Sequence, residues 1–196
     1  MKQIWLLLLS AILATFGLVA YVRHSVSPPV ESVVASSLKS LQEQNRLSAF
    51  AARFVTVVTS RKEQLGFAAE KTLIIPAMAR YEVDLAKLTK DDLVWDARAK
   101  TLSIALPPIE ISGPEFELTQ VREYGSGAVL MALTDVERLL DQSNRAKAKA
   151  DVITQAKAAP MITLAQDATI RAISHSFALP LTAAGVKATI KVEFRT

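Results

Sequence analysis

Two pairs of carboxylates have the spacing that acid–base or cation chemistry needs. Glu82 and Asp84 stand two residues apart in an alternating stretch, as do Glu115 and Glu117, so each pair projects from one face of a strand. Either pair could bind a divalent cation, or work as acid and base if a neighbour separated their pKa values. The competing reading, a solvated strand face that discourages edge pairing, carries more weight. Gly125-Ser126-Gly127 precedes a helical pattern and could cradle a phosphate. It lacks the Walker lysine and the full dinucleotide spacing. The chain has two histidines, His24 beside an apolar segment and His175 four residues after Arg171, and neither has the company that a zinc site requires. No nucleophile-elbow motif is present. A Ser–His–Asp set converges only in space, so spacing alone does not address it. No catalytic, cofactor-binding or metal-ligating residue is assigned, and no cofactor is expected.

A basic set, Arg145, Lys147, Lys149 and Lys157, falls on one long predicted helix. Contact with anionic lipid headgroups is one use for it, each near-surface charge contributing on the order of 1 kcal/mol. Asp141 and Asp151 dilute the set, and solvated helix faces commonly look like this.

What must position all of these begins with residues 4–22, IWLLLLSAILATFGLVAYV, which hold no charge. At about 1.5 Å per residue such a helix reaches roughly 28 Å, close to the hydrocarbon thickness of a bilayer. Ile4, Trp5, Leu9, Leu13, Phe16, Tyr21 and Val22 are the expected spanning residues, with the Trp5 and Tyr21 rings near the two interfaces. A cleaved signal is the alternative, but its apolar core is usually shorter. Leu18 also stands where a small residue would precede a cleavage site at Ala20. The simplest orientation holds Lys2 inside and places residues 24–196 outside the cytoplasm. The expectation is a single-pass protein of a bacterial inner membrane with its domain on the periplasmic side. Membrane lipid is then one partner.

The chain carries 23 Lys+Arg against 19 Asp+Glu, a net charge of +4. With Lys2 and Arg23 assigned to the anchor, 21 basic residues face 19 acidic ones. That is too even for a nucleic-acid footprint. The absence of cysteine removes disulfides, thiolate metal sites and a cysteine nucleophile from consideration.

Three segments follow: an anchor over 1–23, a linker with a juxtamembrane amphipathic helix over 24–46, and an α+β domain over 47–196. Pro28-Pro29 makes a stiff exit from the membrane. Val30, Val34, Leu38 and Leu41 give the helix its apolar stripe, too short for a coiled coil and better suited to packing on its own domain. From Arg46 to Thr59, Phe50, Ala52, Phe54, Thr56 and Val58 share a period-two face; the β-branched run favours a strand over the helix that the Ala-rich start would suit. Arg61-Lys62-Glu63 and Gly66 mark a turn. Leu73-Ile74-Ile75 is a short run stopped by Pro76, and Tyr81, Val83 and Leu85 alternate with polar residues. Leu93-Val94-Trp95 and Leu102, Ile104 and Leu106 form a hairpin across the polar loop 96–100. Ile109 to Leu118 reads as an interrupted edge strand, and 119–127 as a loop. Thr134 and Glu137 have capping-box spacing ahead of a helix to about Ala158, with a thin stripe of Val136, Leu139, Leu140, Ala146, Ala150 and Ile153. A second helix spans Met161 to about Leu179, with Leu164, Ala165, Ala168, Ala172, Ile173 and Phe177 as its apolar residues. Ala188, Ile190, Val192 and Phe194 mark a closing strand. The expected class is α+β: an N-terminal transmembrane helix, then one domain whose mainly antiparallel sheet is covered by two or three helices.

The region from Leu47 onward resembles a bacterial family of membrane-anchored proteins, domain of unknown function 4230. The resemblance rests on Arg80-Tyr81-Glu82-Val83-Asp84-Leu85, the Lys90-Asp91-Asp92 turn, Leu102 to Pro107, the Ala-rich helices and the strand after Gly185-Val186. It implies a helix, a strand-rich middle, two helices and a last strand, and no activity or site residues. Family members commonly have a glycine in a turn before the Tyr81 strand, where this chain has Ala77-Met78-Ala79. The function expected is a non-catalytic envelope module that binds a protein partner, its own second copy or lipid. A small-ligand-binding or hydrolytic domain, with a site built from Glu82, Asp84 or residues 124–127, is the alternative.

Overall fold

The computed structural model describes residues 28–195 together with Ile12, Thr15 and Gly17. The expected membrane-spanning residues Ile4, Trp5, Leu9, Leu13, Phe16, Tyr21 and Val22 lie outside the described residues. Among the described residues no helix is long and apolar enough to cross a membrane.

The chain opens with helix α1 (Val30–Glu43) and then makes a long antiparallel ribbon of β1 (Arg46–Gln64) and β2 (Phe67–Asp84). The period-two face Phe50 to Val58 makes a strand, as expected. The turn lies later than Arg61-Lys62-Glu63, which pair with Glu70, Ala69 and Ala68. It is the two-residue Leu65–Gly66, both at positive φ, a geometry whose twist matches that of the flanking strands. At about 3.3 Å per residue the ribbon runs roughly 60 Å. A one-residue bulge between Ser48 and Phe50 keeps Leu47 and Phe50 both facing the core.

Pro76 does not stop the strand; β2 runs through it. The Pro76 carbonyl accepts from the Glu117 N–H at 2.9 Å, so the side from which its amide hydrogen is missing faces away from β1. On that side β6 (Arg122–Ser126) pairs only as far as Ile74, and β5 (Glu110–Phe116) begins at Ala77. The proline therefore sits where no donor is needed. Ala77 to Ala79 lie inside β2, so there is no turn for a glycine to serve. β6 was expected as loop: its five residues are all exposed and carry no apolar alternation, and only pairing with β2 reveals it.

A second sheet joins β3 (Leu93–Asp96), β4 (Thr101–Leu106) and β7 (Thr189–Phe194). The β3–β4 hairpin is as expected. β4 and β7 pair in parallel, with Leu102 opposite Ile190 and Ile104 opposite Val192, so the strands form two sheets rather than one. Short α2 (Ala128–Leu133) leads into α3 (Val136–Ala156) and α4 (Ala159–Ala183).

Both long helices bury every fourth residue: Val136, Leu140, Asn144, Ala148, Val152 and Ala156 on α3, and Ala165, Thr169, Ile173, Phe177 and Leu181 on α4. Four residues advance about 40° beyond one turn, so each stripe winds around its helix as it crosses the twisted sheet. That corrects the 3.6-residue reading, because Leu139 and Leu164 are exposed, as are Ala146 and Ala150. Pro180 falls in the last turn of α4 rather than beyond it. The capping box does not form. Thr134 donates to Leu130 O at 2.6 Å and accepts from the Val136 N–H at 3.3 Å, while Glu137 turns toward Lys71.

α1 packs its Val34, Leu38 and Leu41 into the main core, with Val83, Leu85 and Leu88 beside β2 and Leu102, Ile104 and Leu106 on β4. Ile173, Phe177 and Leu181 of α4 complete that cluster together with Val192 of β7. A second cluster packs the end of α3 and the start of α4 on the first sheet around Tyr81, whose hydroxyl donates to Ala156 O at 2.8 Å. Tyr81→Phe leaves that carbonyl without its partner and costs about 1 kcal/mol, read as a lowered urea midpoint with an unchanged slope.

Candidate functional site

The carboxylates first considered for chemistry do share the outer face of the ribbon, but cations occupy them. Arg46 reaches Glu82 at 3.3 Å and Glu110 at 2.9 Å, and Arg80 bridges Glu82, at 3.7 Å, and Glu115. Lys87 holds Asp84 at 3.2 Å and Glu110 at 2.8 Å. Glu117 lies apart from Glu115, on Arg53 at 2.7 Å. The hydrogen bond from Lys87 is the main reason that the Asp84 and Glu110 carboxyls lie below their ordinary values. An acid–base pair needs one carboxyl raised, and these two are held ionised. Burial would raise Asp92, but the Thr89 hydroxyl and amide, each at 2.7 Å, outweigh it with help from Arg195, and Asp92 too is lowered.

The sign of the pH dependence follows. A carboxyl lowered by folding contributes stability above its unfolded value and loses it as pH falls through the folded value. All three shifts point the same way. Thermal stability should therefore be level down to about pH 5 and fall steadily below pH 4, with Lys87→Met flattening part of that slope. Differential scanning calorimetry across pH 3–7 checks it.

Gly125-Ser126-Gly127 is not an open cradle. Gly125 pairs with Lys71 and Ser126 with Glu70 across β6 and β2. A Cβ added at Gly127 would lie 2.4 Å from Ala68 O. The glycine is there so that the backbone entering α2 can press onto β2. His175 is exposed on α4, and His24 lies outside the described residues. Among the described residues no group of His, Asp and Glu could hold a metal ion.

The basic set is spread around α3. Arg145 and Lys149 are one turn apart on one flank, while Lys147 projects to the other and donates to Thr59 O at 2.7 Å. Lys157 follows the helix end.

Sequence reasoning missed a buried cation. Lys71 points inward from β2, between Ala69 and Leu73, and its ammonium meets Asp141 at 2.7 Å, Glu123 at 3.0 Å and Glu137 at 3.4 Å. Burial alone would lower its pKa; the hydrogen bonds it donates to Asp141 and Glu123 more than offset this and hold it above the ordinary value. Asn144, fully buried on α3, donates to Lys71 O at 2.7 Å. The available signal was the position of Lys71 on the inward face of an alternating strand. Beside it, under α3, a cavity of about 110 Å³ opens where β5 gives way to β6. Leu73, Ile75, Phe116 and Ala148 line its floor, and Glu123, Asp141 and Arg145 its mouth.

The third feature is the side of the ribbon that no helix among the described residues covers. α3 and α4 lie on the face of Phe54, Ala77 and Tyr81. On the opposite face Val55 and Val57 are 57% and 62% exposed, with Met78 and Tyr124 exposed on the neighbouring strands. At the ribbon's tip Leu65 and Phe67 are also exposed. Among the described residues β1 is the outer strand of its sheet and is paired on one side only, with β2.

The family described as Protein of unknown function (DUF4230) matches residues 39–192, which includes the C-terminal part of α1, both sheets up to the middle of β7, α3 and α4. Neither the curated proteins nor the solved structures contain a match to the chain. The match extends over most of the chain, including the Arg80–Leu85 strand and the helices that carried the resemblance in sequence, and the chain belongs to this family.

Proposed function

We propose that the chain is a single-pass protein, anchored through residues 4–22 in a bacterial inner membrane, whose α+β domain works outside the cytoplasm as a non-catalytic interaction module. The observation that carries this reading is the uncovered face of the β1–β2 ribbon. Exposed valines on the outer strand of an antiparallel sheet suit docking of another polypeptide. The uncharged N-terminal segment supports the anchor. Its exit at Pro28-Pro29 leads directly into α1, so the domain sits close to the bilayer.

A second reading, a small-ligand site, is favoured by the cavity beside Lys71. A hydrolytic site on Glu82 and Asp84 is disfavoured by the cations that hold both. Lipid contact through Arg145, Lys149 and Lys157 is a subsidiary proposal, with Lys147 engaged by Thr59 O. Replacing the four residues with glutamine should weaken binding to anionic liposomes, and unchanged binding removes that proposal.

The direct test is cross-linking in intact cells with a reagent that does not cross the membrane, followed by mass spectrometry of the membrane fraction. The reading predicts that the chain is labelled in intact cells and carries a reproducible polypeptide adduct. Labelling only after lysis would reverse the orientation, and labelling without any adduct would favour the ligand site.

A further inference from the structure

From the free edge of β1 we infer that the partner is a second copy of this chain, joined β1 to β1 in antiparallel register about a two-fold axis. The inference rests on the interaction-module reading and specifies its surface. Two independent observations fix which backbone groups are free. The Pro76 carbonyl bonds Glu117 N–H, away from β1, so its partner Val55 directs its own N–H and C=O to the opposite, outer edge. Thr59 O is taken by Lys147 from outside the β1–β2 ladder, which gives Thr59 the same sense. The two positions are four apart and agree. By alternation Arg53, Val55, Val57, Thr59, Arg61 and Glu63 all direct their backbone groups to the free edge and their side chains to the uncovered face.

This row holds no proline or glycine, is β-branched at its centre, and is defended only by Lys147 and its own flanking charges. An edge of this length is what folded proteins ordinarily blunt, and its unpaired amides and carbonyls are complementary to another strand. Charge selects the register. With Val57 opposite Thr59 of the second copy, Arg53 faces Glu63 and Glu63 faces Arg53 at both ends. Slipping so that Val57 faces itself would put Arg53 against Arg61. Arg53, 49% exposed, now holds Glu117 and Gln120, and Glu63, 67% exposed, holds Arg61, so both side chains are open to a second partner. In the favoured register, once Lys147 gives up Thr59 O in each copy, the two copies exchange roughly a dozen backbone hydrogen bonds.

The geometry also closes at two. The other side of this sheet is divided between β5 and β6, and the edges of the second sheet are β3 with four residues and β7 with six. Among the described strands β1 alone offers a long edge, so each copy uses up its own in one contact.

The test is light scattering of the full chain in detergent, for the unaltered protein and for Val57→Pro and Val57→Lys. Proline at 57 removes a donor that the β1–β2 ladder does not use, and lysine is a common edge defence. Both variants should keep their circular dichroism and raise the dimer dissociation constant by at least about tenfold. Because the chain has no cysteine, mixing Val57→Cys with Thr59→Cys should give a disulfide-linked pair faster than either variant alone. A monomeric unaltered chain overturns the proposal, as does a dimer indifferent to both substitutions at 57. A domain labelled outside the cell and cross-linked only to a different polypeptide would overturn it too, while leaving the interaction-module reading intact.

Discussion

Gly127→Ala should destabilise the protein by about 3–5 kcal/mol, the largest effect expected of any single methyl group in the chain. The position has φ +89, which alone costs an L-residue roughly 1–2 kcal/mol. The added carbon would also lie 2.4 Å from Ala68 O, 2.6 Å from Ala69 Cα and 2.8 Å from Ala69 Cβ. Two of those atoms are main chain of β2 where it pairs with β1 beside the hairpin turn, so neither can swing aside as a side chain would. Relief requires α2 to lift from β2, which opens the small cluster of Ala69, Leu130, Val136 and Leu140. Gly66→Ala is the matched control. Its φ is +78, but nothing lies within 4 Å of the added carbon, so only the conformational cost of about 1 kcal/mol should appear. Urea unfolding of the two variants side by side separates steric cost from backbone strain.

Lys71→Met should cost about 2–3 kcal/mol at neutral pH. Removing one partner of a fully buried ion pair typically costs about 3–5 kcal/mol, because an uncompensated charge is left behind. Here the lysine is buried, but its three carboxylates are between a third and six-tenths exposed, so water relieves part of their mutual repulsion. Methionine keeps the length and apolar stem, which limits the packing loss. The pH signature distinguishes charge from packing. A lysine whose pKa is raised by folding contributes stability that is complete below its ordinary value of 10.5 and is lost as pH rises through the folded value. The gap between the unaltered chain and Lys71→Met should stay level from neutral pH to about pH 10 and close only in stronger alkali. A gap independent of pH throughout would assign the loss to packing.

How far the sequence predicts the structure depends on whether a signal is local. Alternation placed Tyr81 and Val83, the Leu102–Leu106 strand and the closing strand correctly, because a strand with one buried face must alternate; Leu85 is buried as well, but just past the end of β2, in a short 3-10 turn. The same rule identified β1 from its period-two face despite the alanines. It failed where the deciding partner is distant. Pro76 reads as a stop until the gap between β5 and β6 beside it is known. β6 has no apolar pattern at all and exists by pairing with β2. The stripes of α3 and α4 follow a four-residue step set by the twist of the sheet beneath, which no helical period in the sequence could convey. At the candidate sites, shared faces were legible and occupancy was not. Glu82 and Asp84 do lie side by side, but Arg46, which takes Glu82, comes from elsewhere in the chain, and Lys87, three residues after Asp84, reaches it only because the strand ends there. Lys71 joins residues from β6 and α3, and its carboxylates are separated from it by fifty residues or more.

The central claim is that the uncovered side of β1 is the interaction surface. A photo-crosslinking residue placed at Val57 of the full chain in living bacteria tests it most directly, with Arg138 on the exposed side of α3 as the comparison position. The account predicts a discrete adduct from position 57, at twice the mass of the chain, and none from position 138. Adducts from 138 alone, or equal and diffuse adducts from both, would contradict it.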